Sequence, residues 1–305
     1  MTPVEANKKV AVITGATGFV GSHLARALVQ RAWTVHAFKR KSSSMELVSD
    51  VADSIVWHDA DQAPLNIIWD TIGRADVVYH LATEYGRNQP PSKVVAANLL
   101  FPVQLMEQAE KHNVSLFVAA DTCFPRTYPY LRHYTLSKKQ LAQWGNIWAE
   151  QTGRRFVNLV LQHPYGPGDR DDKFVPWIID QCLQNAESIE LTSGEQQKDF
   201  VYIDDVVDAF IVLHDQQRLL PTAFADVPCG SGVAIPLRQF IETVHSLSLS
   251  SSDLQFGALP NRAGEMQFSC ADTTILSQLG WSASTSLKEG VQQTLAHQNR
   301  KQPKP

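Results

Sequence analysis

Three glycines separate a run of apolar residues from an amphipathic one near the start of this chain. The segment "KVAVITGATGFVGSHLARAL" places Gly15, Gly18 and Gly21 after a short β-branched stretch and at the opening of a helical pattern. Few folds accept that arrangement. Gly15 permits a tight turn, Gly18 lets the backbone approach a pyrophosphate, and Gly21 lets a helix pack closely on a strand. The helix start then offers unpaired N–H groups and the positive end of its dipole to an anion. The spacing is GxxGxxG, not the GxGxxG of many dehydrogenases.

Strand–helix alternation repeats along the first half of the chain. "TVHAF", "SIVWH", "DVVYHLA" and "SLFVAA" read as buried parallel strands, and "HLARALVQRA" and "NLLFPVQLMEQAEKHN" as helices between strands. "RFVNLVLQ" supplies a further strand. The expected fold class is α/β, a Rossmann-type doubly wound parallel sheet with a smaller C-terminal α/β lobe. After Gln162 the pattern changes: "HPYGPGDRDD" is a loop, "KFVPWIIDQCLQN" a helix and "SIELT" a strand. "DFVYIDDVVDAFIVLHDQ" reads as a strand running into a helix capped by Asp204 or Asp205. The expected division is residues 1–162 for dinucleotide binding, rejoined by about 199–222, with 163–305 mainly a substrate lobe, interleaved and without a flexible hinge.

The 305 residues carry a net charge of -4 and no long basic run, so neither nucleic acid nor an anionic membrane is an expected partner. Cys123, Cys182, Cys229 and Cys270 lack paired spacing and read as reduced thiols, with no metal site. The opening residues lack the apolar run of a signal peptide and no stretch has the length of a membrane span, so a cytoplasmic location is expected. The polar tail "NRKQPKP" is expected to fray.

The end of the second strand reports on the cofactor. An NAD site would place an Asp or Glu there for the ribose 2′-hydroxyl. Here the strand ends in Lys39, Arg40 and Lys41, then serines, with no acid until Glu46. A guanidinium forks onto a 2′-phosphate and stacks on adenine, so NADP(H) is favoured over NAD(H). The alternative is a solvated basic turn.

Tyr134 and Lys138, four positions apart in "YTLSKKQLAQWG", share one helix face. The pair alone is not diagnostic, but its surroundings are. "TGATGFVGSHL", "DVVYHLA", "AANLLFPVQLMEQAEKHNVSLFVAADT", "YTLSK", "HPYGPGD", "KDFVYIDDVVDA" and "NRAGEMQFSCADTTILSQLGW" occur in order along nearly the whole chain. Together they resemble the extended short-chain dehydrogenase/reductase superfamily, in its NAD-dependent epimerase/dehydratase group acting on nucleotide sugars. The resemblance implies Thr122, Tyr134 and Lys138 as the catalytic set. It implies a cofactor held by Thr17, Phe19 and Val20 besides the three glycines, by Asp59 and Ala60, by Leu81 and Ala82, by Ala120, and by Pro164, Tyr134 and Lys138. A neighbouring ammonium and an oxidised nicotinamide would lower the pKa of the Tyr134 phenol. In reduction the phenol gives its proton to a carbonyl oxygen that Thr122 also hydrogen-bonds. The substrate side would use Lys198 and Arg262 on a diphosphate, Lys173 and Phe174 at the nucleotide, and His163 and Glu84 nearer the sugar. A homodimer pairing the two long helices is also implied, with Trp144 and Trp148 at that interface or in the core.

The chain departs from the pattern in several places, Val160 standing for an arginine and His163 for an asparagine among them, and two departures bear most on the reaction. The interval from Thr122 to Tyr134 is short and aromatic, "CFPRTYPYLRH". The dehydratases follow their threonine with an Asp–Glu pair, whereas Cys123 and Phe124 stand here and cannot remove a hydroxyl as water. The expected reaction is therefore NADPH-dependent reduction of the keto group of a nucleotide-linked 4-keto-6-deoxy sugar, as in the small 4-ketoreductases that make dideoxy sugars. Alternatives are an NAD-retaining epimerase, a reductase of free aldehydes or ketones, and a non-catalytic NADP-binding sensor.

Overall fold

The computed structural model describes residues 8–301; residues 1–7 and 302–305, including the end of the polar tail, lie outside the described residues. The strands are β1 (Val10–Thr14), β2 (Thr34–Lys39), β3 (Ile55–Asp59), β4 (Val77–His80), β5 (Leu116–Thr122), β6 (Arg155–Leu161), β7 (His163–Tyr165), β8 (Ser188–Leu191), β9 (Gln197–Tyr202), β10 (Phe224–Cys229), β11 (Ala234–Pro236) and β12 (Asp253–Phe256). The helices are α1 (Phe19–Gln30), α2 (Leu65–Ile72), α3 (Pro91–Val95), α4 (Phe101–Lys111), α5 (Arg132–Thr152), α6 (Phe174–Leu183), α7 (Ile203–Asp215), α8 (Leu237–Ser248), α9 (Thr274–Gln278) and α10 (Leu287–Lys301). A π-helical turn, Ala96–Leu100, joins α3 to α4. No described helix is long and apolar enough to cross a membrane.

Two compact units divide the chain: residues 1–160 with 207–227 and 278–280, and residues 161–206 with 228–277 and 281–305. The first is built on a seven-stranded parallel sheet in the order β10-β6-β5-β4-β1-β2-β3. The order reverses between β1 and β4, which opens the ligand crevice of doubly wound sheets at their carboxyl ends. The inner strands β1, β4, β5 and β6 are short and buried on both faces, as crossover helices require. One face is filled by Val12, Phe38, Trp69, Val78, Leu105, Phe117, Leu141, Trp148 and Phe156. Gly145 of α5 lets that helix approach β6, because a Cβ there would stand 2.4 Å from the Phe156 ring.

In the second unit β9 pairs with β7 in parallel and with β11 antiparallel, while β12 pairs with β8. Its core includes Tyr165, Phe200 and Phe240, with ring centroids of Phe200 and Phe240 4.1 Å apart. α7 begins at Ile203, so Asp204 and Asp205 lie inside its first turn and do not cap it from outside. Asp205 accepts hydrogen bonds from Ser284 and Thr285 instead, pinning the segment before α10.

Gly145→Ala is expected to cost about 1–3 kcal/mol through overpacking. Urea unfolding should show a lower midpoint with an unchanged slope.

Candidate active site

The first unit gathers its candidate site residues at the carboxyl ends of β1, β4 and β5. Gly15 adopts φ +75°, and a Cβ on it would lie 2.6 Å from the Ala82 amide nitrogen. A Cβ on Gly21 would meet the Gly15 carbonyl oxygen at 2.1 Å. These two positions therefore demand glycine, and Leu81 and Ala82 are drawn against the loop. The Leu81 amide donates to the Thr14 carbonyl at 3.1 Å, and the Thr14 hydroxyl meets His80 Nδ1 at 2.8 Å. α1 opens at Gly18 without a side-chain cap. The first-turn amides of Phe19, Val20 and Gly21 point out of the helix start, as helix geometry requires. This cradle fits a dinucleotide pyrophosphate, which would lie against the Gly15–Thr17 turn and these amides.

The basic turn differs from its sequence reading. Register pairs Lys39 of β2 with Asp59 of β3, and the Lys39 ammonium forms an ion pair with the Asp59 carboxylate. The Lys41 amide donates to Asp61 at 3.2 Å. Two carboxylates absent from the local sequence are thus brought to the turn by the neighbouring strand, with Ala60 between them. Arg40 and Lys41 are exposed, and neither side chain has an ion pair among the described residues.

Tyr134, Thr122 and Lys138 come together where α5 crosses the end of β5. The Thr122 hydroxyl hydrogen-bonds the Tyr134 phenol and accepts the Phe124 amide at 3.3 Å. Lys138 is buried, and its Nζ donates to the Ala120 carbonyl at 2.8 Å. Burial drives both ionisations. It pushes the Tyr134 phenol well above its ordinary value, with Tyr85 adding to the shift and the Thr122 hydrogen bond opposing it. It pulls Lys138 down to about 8, against the attraction of Asp121. The expected lowering of Tyr134 by its lysine neighbour is not found in the protein alone, because desolvation outweighs it and Lys138 is engaged by a carbonyl. A protonated, buried phenol beside a hydroxyl donor is suited to giving a proton to an oxygen placed between them.

Of the groups gathered around this set, Asn98, Asp121 and Lys139 had no signal in the sequence. Tyr85 packs on Tyr134 with ring centroids 4.9 Å apart. Asn98, fully buried in the π turn, accepts from the Glu84 amide at 2.7 Å and donates to the Glu84 carbonyl and to Ser137 on α5. Glu84 turns its carboxylate onto the Gly86 amide at 3.0 Å. Asp121 and Lys139 form a further pair behind Thr122. The short loop stacks Phe124 on Tyr128 at 4.4 Å, with Tyr130 edge-on to Tyr128.

Pro164 and the remaining candidates belong to the second unit. His163, in β7 beside Pro164, pairs through Nε2 with the Ser269 hydroxyl at 3.0 Å, and burial drives its pKa down to about 3. It is therefore neutral. Lys198 is paired with Glu265 at 3.0 Å, and both are largely buried. Lys173 is paired with Asp169 at 2.7 Å. Phe174 starts α6 and packs on Trp177 at 5.8 Å, while Arg262 is exposed.

Residues 11–223 match the NAD dependent epimerase/dehydratase family, and the chain belongs to it. It is an NAD(P)-dependent oxidoreductase of the extended short-chain type. It is 32% identical to a CDP-abequose synthase of Salmonella muenchen, over 96% of this chain and 99% of that one. Its fold is similar to a UDP-N-acetylglucosamine 4-epimerase of Methanobrevibacter ruminantium (TM-score 0.83, 19% identical, 97% of this chain and 99% of the other). It is also similar to a UDP-glucose 4-epimerase of Thermus thermophilus in complex with NAD (TM-score 0.77, 20% identical, 94% and 98%).

Burying the Lys138 ammonium costs stability below its folded pKa of about 8, and the cost fades as pH rises towards the ordinary value of 10.5. Lys138→Met should therefore raise the melting temperature at pH 7 by a few degrees, within a ceiling of about 3 kcal/mol. The gain should shrink as melting is repeated towards pH 10.

Proposed function

We propose that this protein reduces the 4-keto group of a nucleotide-activated 4-keto-6-deoxy sugar, using NADPH. The observation that carries the reading is the buried Tyr134 phenol hydrogen-bonded by Thr122, with Lys138 beneath it at the Ala120 carbonyl. The likeness to a CDP-abequose synthase over nearly the whole of both chains supports a nucleotide-sugar substrate.

A reduced nicotinamide, when bound, supplies the hydride to the carbonyl carbon. The protein's own residues handle the proton and the oxygen. Tyr134 donates its phenolic proton as negative charge develops on the carbonyl oxygen, so the C=O becomes CH–OH. Thr122 hydrogen-bonds the same oxygen and sets its direction. Lys138 would hold the nicotinamide ribose and stabilise the phenolate left behind. Proton return to Tyr134 completes the cycle. Cys123 and Phe124, which follow Thr122, supply no acid–base pair for dehydration.

NADPH is favoured because Lys39 neutralises Asp59, leaving Arg40 and Lys41 to meet a 2′-phosphate with Asp61 as the opposing carboxylate. In the second unit, Lys198 and Arg262 are the cations for the substrate diphosphate, with Lys198 leaving Glu265 to do so. Glu84, His163, Lys173 and Phe174 complete the proposed substrate contacts. We also infer a homodimer formed through α5, where Leu136, Trp144 and Ile147 are exposed within one arc of the helix, while Trp148 is buried in the core.

Tyr134→Phe should lower kcat by about 10²–10⁴-fold while leaving nucleotide affinity near wild type. Stopped assays with a CDP-linked 4-keto-6-deoxy sugar, paired with fluorescence titration of NADPH, would check both. Arg40→Ala should weaken NADPH tenfold or more, by roughly 1.4 kcal/mol, and spare NADH. Protein purified with NAD tightly bound, or preferring NADH, would favour an epimerase instead.

A further inference from the structure

Thr122 is held from behind by two charged side chains that touch neither its hydroxyl nor Tyr134 in the hydrogen-bond pattern. Asp121 Oδ1 accepts the Thr122 amide at 2.7 Å. Lys139 Nζ donates to Asp121 Oδ2 at 2.7 Å and to the Thr122 carbonyl at 2.9 Å. Both polar groups of Thr122's backbone are therefore engaged by one ion pair. The Asp121 side chain is 1% exposed and Lys139 31%, so the carboxylate is buried and its counterion lies at the rim. Asn158 of β6 donates to Asp121 Oδ2 at 2.8 Å and to Asp226 of β10 at 2.7 Å, tying the pair across the sheet. A cavity of about 830 Å³ between α5 and the β6–β10 edge is lined by Lys139, Asn158 and Asp226.

Consecutive lysines thus grip the end of β5 at two points, Lys138 at Ala120 and Lys139 at Thr122. A buried carboxylate stripped of its partner is costly and rearranges or takes up a proton. The Thr122 peptide, anchored to that carboxylate, would move with it. Displacements of about 1 Å in an orienting group cost up to 10²-fold in rate.

We propose that Asp121 and Lys139 are positioning residues that hold the Thr122 peptide and thereby aim its hydroxyl at the oxygen shared with Tyr134. This inference rests on the proton-transfer role given above to Thr122 and Tyr134. The pair also shapes the electrostatics of the site. The groups facing Tyr134 are Tyr85, Thr122, Asp121 and Cys123. Those facing Lys138 are Asp121, Lys139 and His80. Asp121 raises the Lys138 pKa and Lys139 lowers it.

The test uses the intact protein, NADPH and a CDP-linked 4-keto-6-deoxy sugar. Lys139→Met should lower kcat roughly 10- to 100-fold with KM changed by less than about 3-fold. Its pH profile should shift to higher pH, whereas Asp121→Asn should shift it lower. Lys139→Arg, which keeps both donors, should recover kcat to within about 3-fold. Hydrogen–deuterium exchange of the segment from Ala119 to Phe124 gives a readout without substrate, and should rise in Lys139→Met. Lys139→Gln replaces Lys139→Met in both measurements if circular dichroism shows that Lys139→Met is unfolded. Wild-type kcat, pH profile and exchange in the Lys139 variant, with Tyr134→Phe inactive, would overturn the positioning role. An active Tyr134→Phe would overturn the reading of the site itself, whatever Lys139 does.

Discussion

The backbone contact between Gly15 and the Leu81–Ala82 peptide governs the geometry of the first unit. A side chain at Gly15 would occupy the space of that peptide, and one at Gly21 the space of the Gly15 carbonyl. With neither present, the end of β1, the end of β4 and the start of α1 converge. That convergence makes the anion cradle and carries the chain after β4 towards α5. From there Asn98 clasps Glu84's backbone and reaches Ser137, and Tyr85 comes to rest on Tyr134. The proposed phosphate loop and the proposed proton donor thus depend on the same close approach.

Desolvation is the dominant electrostatic influence at Tyr134 and Lys138. Tyr134 and Lys138 are both displaced towards their neutral forms by burial, and the nearby charges only modulate this. A buried ammonium is an expense to the fold, and in the proposed role of Lys138 it reflects the usual tension between stability and activity. The Asp121–Lys139 pair shows the complementary solution: a carboxylate placed in the interior with a counterion and two further hydrogen-bond donors around it. In the second unit the same rule keeps His163 neutral and Lys198 paired with Glu265.

Much of the architecture was legible in the residues. Alternation of short β-branched runs with amphipathic ones identified the strands and helices of the doubly wound sheet, because burial on both faces leaves an unbroken apolar signature. The glycine spacing marked the tight turn between β1 and α1, because only glycine satisfies the sterics there. The order of motifs identified the family. The capping role assigned to Asp204 or Asp205 is not what the structure shows: the helix begins at Ile203, before either aspartate, and Asp205 is recruited by Ser284 and Thr285, far along the chain.

What the sequence determined by itself was local: which segments are strands, where the backbone must turn tightly, and that Tyr134 and Lys138 share a helical face. What only the tertiary structure decided was the partner of each charge. Lys39 meets Asp59, twenty positions away, because β2 and β3 are parallel neighbours in a particular register. Lys139 meets Asp121 because α5 crosses back over the end of β5. Asn98 reaches Glu84 and Ser137 from a π-helical turn with no periodic signature. Periodicity records which side of an element is buried, but a side chain's electrostatic partner depends on crossovers and register between elements distant in the chain.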